Sequence, residues 1–268
     1  MCGFSARWPE RVFGPTVARS SPHAYAHPVL RIIDARTGEP VEAAPARRGL
    51  TRVQAHAVGY DTTDLRVLLV ADVLVRALEL GGTPVWALLT GERQQAELRA
   101  AATTLGIRPF EDSRDVSAGL GEAQVIHVVA DSGPAPDGVR MAVAPVDQEA
   151  AAILEGAEPA VVRLALLSTH RSEPVRLDAE ALQAARETLA RWRRAVADWA
   201  RRPSRAIPEE ARGELRTAWE DDLDVRGVLR VLGWVETSDL PEGARFETYA
   251  YADRLLGLEL TRDVGSVA

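Results

Sequence analysis

Apolar positions along the chain follow two kinds of pattern. In the first half, compact apolar runs alternate with stretches of helical period. Residues 30–34 form a short apolar run followed by Thr37-Gly38-Glu39-Pro40, a strand leading into a turn. Residues 51–60 read as a second strand. Over 64–80, Leu65, Leu68, Leu69, Val73, Leu74 and Ala77 recur at helical spacing, and Gly81-Gly82 ends the run. Residues 84–89 form a buried-strand pattern, 92–105 a second helix closed by Gly106, and 125–130 another strand. Strands alternating with helices predict a parallel sheet with crossover helices.

After Val146 the pattern turns helical. Helices are predicted over 148–155, 159–169 and 178–201, the last with Leu182, Ala185, Leu189, Trp192, Val196 and Trp199 on one stripe. Pro203 and Pro208 bracket a linker, 209–232 is mostly helical, and 246–256 closes the fold. The expected fold class is α/β: a small Rossmann-like parallel-sheet domain over 29–146, then an all-helical domain over 147–268. Residues 1–28, with Gly, Pro and Ser among them, read as a flexible extension.

Composition sharpens this picture. The 268 residues carry 32 cations against 39 acids, for a net charge of −7, and every cation is an arginine. Without lysine there is no Schiff-base or P-loop lysine. The chain has no asparagine and one cysteine, Cys2, so intramolecular disulfides and Cys-rich zinc sites are excluded. No apolar run is long enough to cross a membrane, and Arg7, Arg11 and Arg19 are not followed by a secretory apolar core. These features predict a cytoplasmic location.

Chemistry-bearing motifs are sparse. Of the five histidines, only His23 and His27 stand four apart, and no metal site is expected. No Gly-x-Ser-x-Gly, Gly-x-Gly-x-x-Gly or Walker sequence is present, and Gly119-Leu120-Gly121 is too slight for a phosphate loop. The arginines 186, 191, 193, 194, 201, 202 and 205 give a local positive excess. That cluster reads either as a phosphate-facing patch or as a solvated helix face. If it meets nucleic acid, Arg193, Arg194, Arg201 and Arg202 are the candidates, because helical spacing of eight returns 201 to the side of 193 and 202 to that of 194.

Several stretches, taken in order, resemble cysteinyl-tRNA synthetase and its relative, the cysteine ligase of mycothiol synthesis. Leu30-Arg31-Ile32-Ile33-Asp34 with Gly38-Glu39-Pro40-Val41 is similar to that family's opening strand and turn. Tyr60-Asp61 with Ala71-Asp72-Val73-Leu74 resembles its active-site strand and helix. Asp137-Gly138-Val139-Arg140-Met141 resembles the lead into the KMSKS loop, and the run from Leu164 to Ser172 the helix that follows. Asp221-Asp222-Leu223-Asp224 and Arg254-Leu255-Leu256-Gly257-Leu258 match its late helical region. The resemblance implies a class I synthetase-type nucleotide site at Tyr60, Asp61, Asp64, Leu65, Arg66, His127, Arg140 and Met141, with ATP or AMP as possible ligands.

This chain also departs from the family. Where the HIGH signature should follow Tyr60-Asp61, it reads Thr62-Thr63-Asp64-Leu65-Arg66, with Asp64 near the first histidine and about three residues missing. The KMSKS loop reads Arg140-Met141-Ala142-Val143-Ala144, with Val143 in place of the second lysine. Ala55 stands near the first zinc-ligand position. Adenylation builds negative charge on the α-phosphate, and valine supplies nothing to stabilise it. The expectation is therefore a shortened, non-catalytic paralogue with no catalytic residue and no required cofactor, binding a small ligand, tRNA or a protein partner. The alternative is a residual ATP-dependent cysteine ligase using Arg140, Arg66 or a partner subunit.

Overall fold

The computed structural model describes residues 29–45, 49–91, 93–113, 124–134, 136–147 and 156–266. Cys2, His23, His27, the glycines at 119 and 121 and the helix expected over 148–155 lie outside the described residues.

Five parallel strands form the central sheet: β3 (Thr51–Ala57), β4 (Val85–Gly91), β5 (Glu111–Asp112), β6 (Gln124–Ala130) and β7 (Val139–Val143), in spatial order β5-β4-β3-β6-β7. The order reverses between β3 and β6, as in doubly wound folds. The expected opening strand does not join this sheet. Instead β1 (Arg31–Ile33) pairs antiparallel with β2 (Pro40–Glu42) in a separate hairpin.

Helix α1 (Thr62–Leu80) follows β3 and covers the sheet face made by Val53, Ala55 and Ala57. Its residues are buried on nearly every side, from Leu65 and Val67 through Leu74 to Leu78. The sheet lies on one flank and the C-terminal helices on the other, so one hydrophobic core runs from sheet to helices. Helix α2 (Gln95–Thr104) packs beside α1.

Strand β7 corrects the expectation of a loop over 140–144. The alternation of buried Met141 and Val143 with half-buried Arg140 and Ala142 makes it a parallel partner of β6. The connection spans only residues 131–138, less than the dozen or so residues usual between parallel neighbours.

The helical half comprises α3 (Pro159–Leu167), α4 (Ala179–Trp199), α5 (Glu209–Glu220), α6 (Val225–Thr237) and α7 (Glu242–Leu256). The mostly helical stretch expected over 209–232 is two helices with a break between them. Asp222 and Leu223 take left-handed φ values of 52° and 56°, which stops α5, and Asp224 then caps α6 by accepting the Gly227 N–H at 2.9 Å. The break docks the hairpin: Asp222 N donates to the Arg31 carbonyl at 2.9 Å, and its carboxylate accepts Ile33 N–H at 2.8 Å.

Buried arginines join the two halves. Arg163 on α3 is fully buried and donates to Asp72 of α1 at 2.8 Å and to the carbonyls of Leu105 and Leu256 at the ends of α2 and α7. Asp72 also accepts from Arg76 and Arg108. Burial alone would raise the Asp72 carboxyl, but the surrounding guanidinium groups hold it below the usual carboxylate range. Gly257 ends α7 at φ 62°, and a Cβ there would sit 3.0 Å from the Arg163 guanidinium, so both backbone and space call for glycine.

Candidate functional site

The carboxyl ends of β3, β6 and β7 open into a cleft of about 1110 Å³. It lies at the strand-order reversal, where open α/β sheets bind ligands. Its walls come from the β3–α1 turn and α1 (Tyr60, Asp61, Asp64, Leu65), α2 (Glu97, Ala101), the end of β6 (Ala130, Ser132), the segment after β7 (Val146, Asp147) and α3 (Pro159, Val162).

The β3–α1 turn explains much of the chemistry. Asp61 is the N-cap of α1, with extended backbone, and its carboxylate accepts the Asp64 N–H at 2.7 Å. Asp64 folds back in turn and accepts the N–H groups of Gly59 at 2.9 Å and Val58 at 3.3 Å. One carboxylate thus caps the helix end and a second holds the turn that leads into it. Asp64 is buried, which pushes its carboxyl above the ordinary value; the Gly59 N–H opposes this and the nearby Asp61 charge adds to it. The carboxyl side chains lining the cleft among the described residues are Asp61, Asp64, Glu97 and Asp147, and no arginine or histidine lines it with them.

Of the eight nucleotide-site positions, the structure gathers four on the cleft: Tyr60, Asp61, Asp64 and Leu65. The other four lie elsewhere. Arg66 is 1% exposed and donates to the carbonyls of Ala144 (2.7 Å), Glu173 (2.8 Å), His170 (2.8 Å) and Thr169 (3.4 Å), tying α1 to the segments after β7 and α3. Burial pulls its guanidinium down to about 10, which leaves it charged at neutral pH. Met141 is fully buried in the core.

His127 and Arg140 are register partners on β6 and β7 and share the sheet face opposite α1. His56 Nε2 lies 2.9 Å from His127 Nδ1. The Asp137 carbonyl accepts a hydrogen bond from His127, which fits Nε2 as its protonated nitrogen and Nδ1 as acceptor from His56. Burial lowers both rings, His56 to about 4. The Arg140 backbone N–H donates to Asp34, whose carboxylate also pairs with Arg36 at 2.9 Å.

The four arginines proposed for nucleic acid are also separated. Arg193 is buried against the carbonyls of Leu258 and Glu259 and pairs with Glu158 at 2.6 Å. Arg194 is exposed. Helix α4 ends at Trp199, so Arg201 and Arg202 lie beyond it and helical spacing no longer relates them to 193 and 194; Arg202 pairs with Glu242 at 2.7 Å. Trp192 and Trp199 meet the buried Tyr249 ring edge-on at 5.8 and 5.2 Å, so both belong to the core.

The sequence reading missed Glu97 and Asp147. For Asp147 a signal existed: no cation occurs between Arg140 and Arg163, while Asp147, Glu149, Glu155 and Glu158 fall in that interval; Glu97, between Arg93 and Arg99, carries none. Among the described residues no group of three or more His, Cys, Asp or Glu could hold a metal, and no helix is long and apolar enough to cross a membrane.

No family model matches the chain. It is 36% identical over 116 residues to the L-cysteine:1D-myo-inositol 2-amino-2-deoxy-alpha-D-glucopyranoside ligase of Stackebrandtia nassauensis, covering 41% of this chain and 26% of that protein. The ligase of the same name from Streptosporangium roseum is 36% identical over 109 residues, covering 39% of this chain and 26% of its own. That from Parafrankia sp. is 42% identical over 77 residues, 29% of this chain and 16% of its own. The matches thus span about a quarter or less of the curated relatives, and they support a ligase-related origin.

Proposed function

We propose that this ligase-related protein holds a small molecule in the cleft at the carboxyl ends of β3 and β6 and forms no adenylate there. The observation that carries this reading is the charge of the cleft: among the described residues lining it, four are carboxylic acids and none is an arginine or histidine. Phosphoryl and adenylyl transfer depend on cations or oriented donors placed against the developing phosphate charge. Arg66, one candidate substitute, has its guanidinium engaged by four carbonyls. Arg140, the other, lies on β7 across the sheet from α1. Four carboxylates around the cleft would repel a polyphosphate.

The test is cysteine-dependent ATP–pyrophosphate exchange. We expect no exchange above a heat-killed control, while a ligand of the cleft raises the unfolding midpoint by mass action. A second reading, a residual ATP-dependent cysteine ligase, is favoured by the similarity to proteins named as cysteine ligases. Exchange above background that is lost in Arg140→Ala would replace our reading with that one.

A further inference from the structure

We infer that the turn after α3 carries a second site, separate from the cleft, where Ser172 and His170 hydrolyse esters of short carboxylic acids. The inference does not depend on reading the cleft as a ligand site.

The turn sets a hydroxyl against an imidazole nitrogen. Ser172 Oγ lies 2.7 Å from His170 Nδ1, and the Ser172 backbone N–H donates to the same nitrogen at 3.4 Å. A backbone N–H can only donate, so Nδ1 is the acceptor and Nε2 carries the ring proton. That proton faces Asp222, whose Oδ2 stands 3.6 Å from Nε2. Ile33 N–H and Arg171 both go to Asp222 Oδ1, so Oδ2 takes no other hydrogen bond among the described residues. At 3.6 Å the contact is long for a hydrogen bond, as catalytic contacts often are before substrate draws them in. Asp222 holds its place in left-handed backbone, φ 52°, which non-glycine residues adopt at a cost. Hydroxyl, imidazole and carboxylate thus stand in the order that activates a serine, an arrangement recognised by geometry and not by a sequence motif.

The second argument is what adjoins these groups. His170 and Arg171 wall a small cavity of about 20 Å³, closed by Leu69, Val73, Leu166 and Leu223. That is room for about one water-sized group, such as the methyl of an acetyl ester. Arg171 is 7% exposed, and its Nε is buried without a hydrogen-bond partner, while its other nitrogens serve Ala142 and Asp222. A buried N–H without an acceptor is rare, and the charged oxygen of a tetrahedral acyl intermediate is the kind of acceptor it lacks. The frame is fixed from both ends. Arg66 donates to the carbonyls of His170 and Glu173, each at 2.8 Å, and Glu173 N–H closes the turn on the His170 carbonyl at 2.9 Å. The Glu173 carboxylate pairs with Arg226 at 2.9 Å.

The reaction balances as ester hydrolysis. Ser172 Oγ bonds to the acyl carbon and its proton passes to His170 Nδ1. The bond from acyl carbon to the alcohol oxygen breaks, and that oxygen leaves with the proton. Water then gives a proton to Nδ1 and attacks the acyl carbon; the carboxylic acid departs and Ser172 Oγ regains its proton. Asp222 is a positioning residue that holds the ring.

The full chain is assayed with p-nitrophenyl acetate and p-nitrophenyl octanoate. It is also labelled with diethyl p-nitrophenyl phosphate, and the labelled residue is located by mass spectrometry. We expect saturable hydrolysis of the acetate, about tenfold slower hydrolysis of the octanoate, and phosphorylation of Ser172. Ser172→Ala and His170→Gln should each lower kcat/KM about a hundredfold. Ser204→Ala, which removes an exposed serine between α4 and α5, should leave it unchanged. Asp222→Asn keeps an acceptor for Ile33 N–H and should lower kcat about tenfold with KM held, whereas a merely structural role would move KM and the unfolding midpoint together. No hydrolysis above buffer, hydrolysis that survives Ser172→Ala, labelling at another residue, or octanoate turned over as fast as acetate overturns the inference. Pyrophosphate exchange, measured separately, reads the cleft and does not bear on this site.

Discussion

Buried arginine does in this molecule what lysine could not. A buried lysine can shed its proton, whereas a guanidinium keeps its charge and presents several donors in a fixed fork. Arg66 and Arg163 use that fork to gather carbonyls from separate segments. Nothing in the sequence separates such an arginine from one that faces a ligand, because the carbonyls it serves are far along the chain. The histidines are different, since their neighbours impose a pH dependence. His56 is pushed from 6.5 to about 4 by burial and by His127. The unfolded chain therefore takes up a proton at His56 before the folded one does. This contribution to stability is fully present above about pH 6.5 and is lost as pH falls toward 4. The urea midpoint should drop between about pH 7 and 5, and His56→Gln should flatten that drop. An identical slope in the variant would assign the dependence to other groups.

At the scale of elements, α4 shows what periodicity reveals and what it hides. The stripe of Leu182, Leu189, Trp192, Val196 and Trp199 is legible because a helix must turn its apolar side inward, and all five are buried. Arg193 is buried as well, through Leu258, Glu259 and Glu158, and no local pattern could disclose partners so distant in sequence. Arg193→Ala should therefore cost about 2–3 kcal/mol in denaturant unfolding, through unpaired buried acceptors. Arg194→Ala, one residue along and exposed, should stay within about 0.5 kcal/mol. Equal effects would return Arg193 to the surface. The same limit explains β7 and the α5–α6 break. A five-residue strand has too few alternations to stand out, and Asp222-Leu223 adopts left-handed backbone without the glycine that usually announces it. At the cleft, Tyr60 to Leu65 were legible as a strand-to-helix turn; the cation-free interval around Asp147 was also legible, but that Asp147 and Glu97 line one cleft was not, because tertiary folding alone brings them to it.

For the whole molecule, the sheet and the helices share one core and the Arg163–Asp72 ion pair. Unfolding should therefore be a single transition. Far-ultraviolet circular dichroism sees both halves, while tryptophan fluorescence is weighted to the helices by Trp192, Trp199, Trp219 and Trp234. The two curves should coincide in urea, and separated midpoints would mean that the halves unfold independently. The position of α1 between the two layers carries a consequence for anyone dividing this chain. The boundary that the hydrophobic pattern suggests, near residue 146, leaves α1 with the sheet and strips it of the helices that cover its far side. A fragment cut there would present Val70, Val73 and Ala77, part of the interior in the intact protein, as an adhesive apolar surface. Chimeras built by exchanging the C-terminal half would need to redesign the outer flank of α1, or transfer that helix together with the helices it supports.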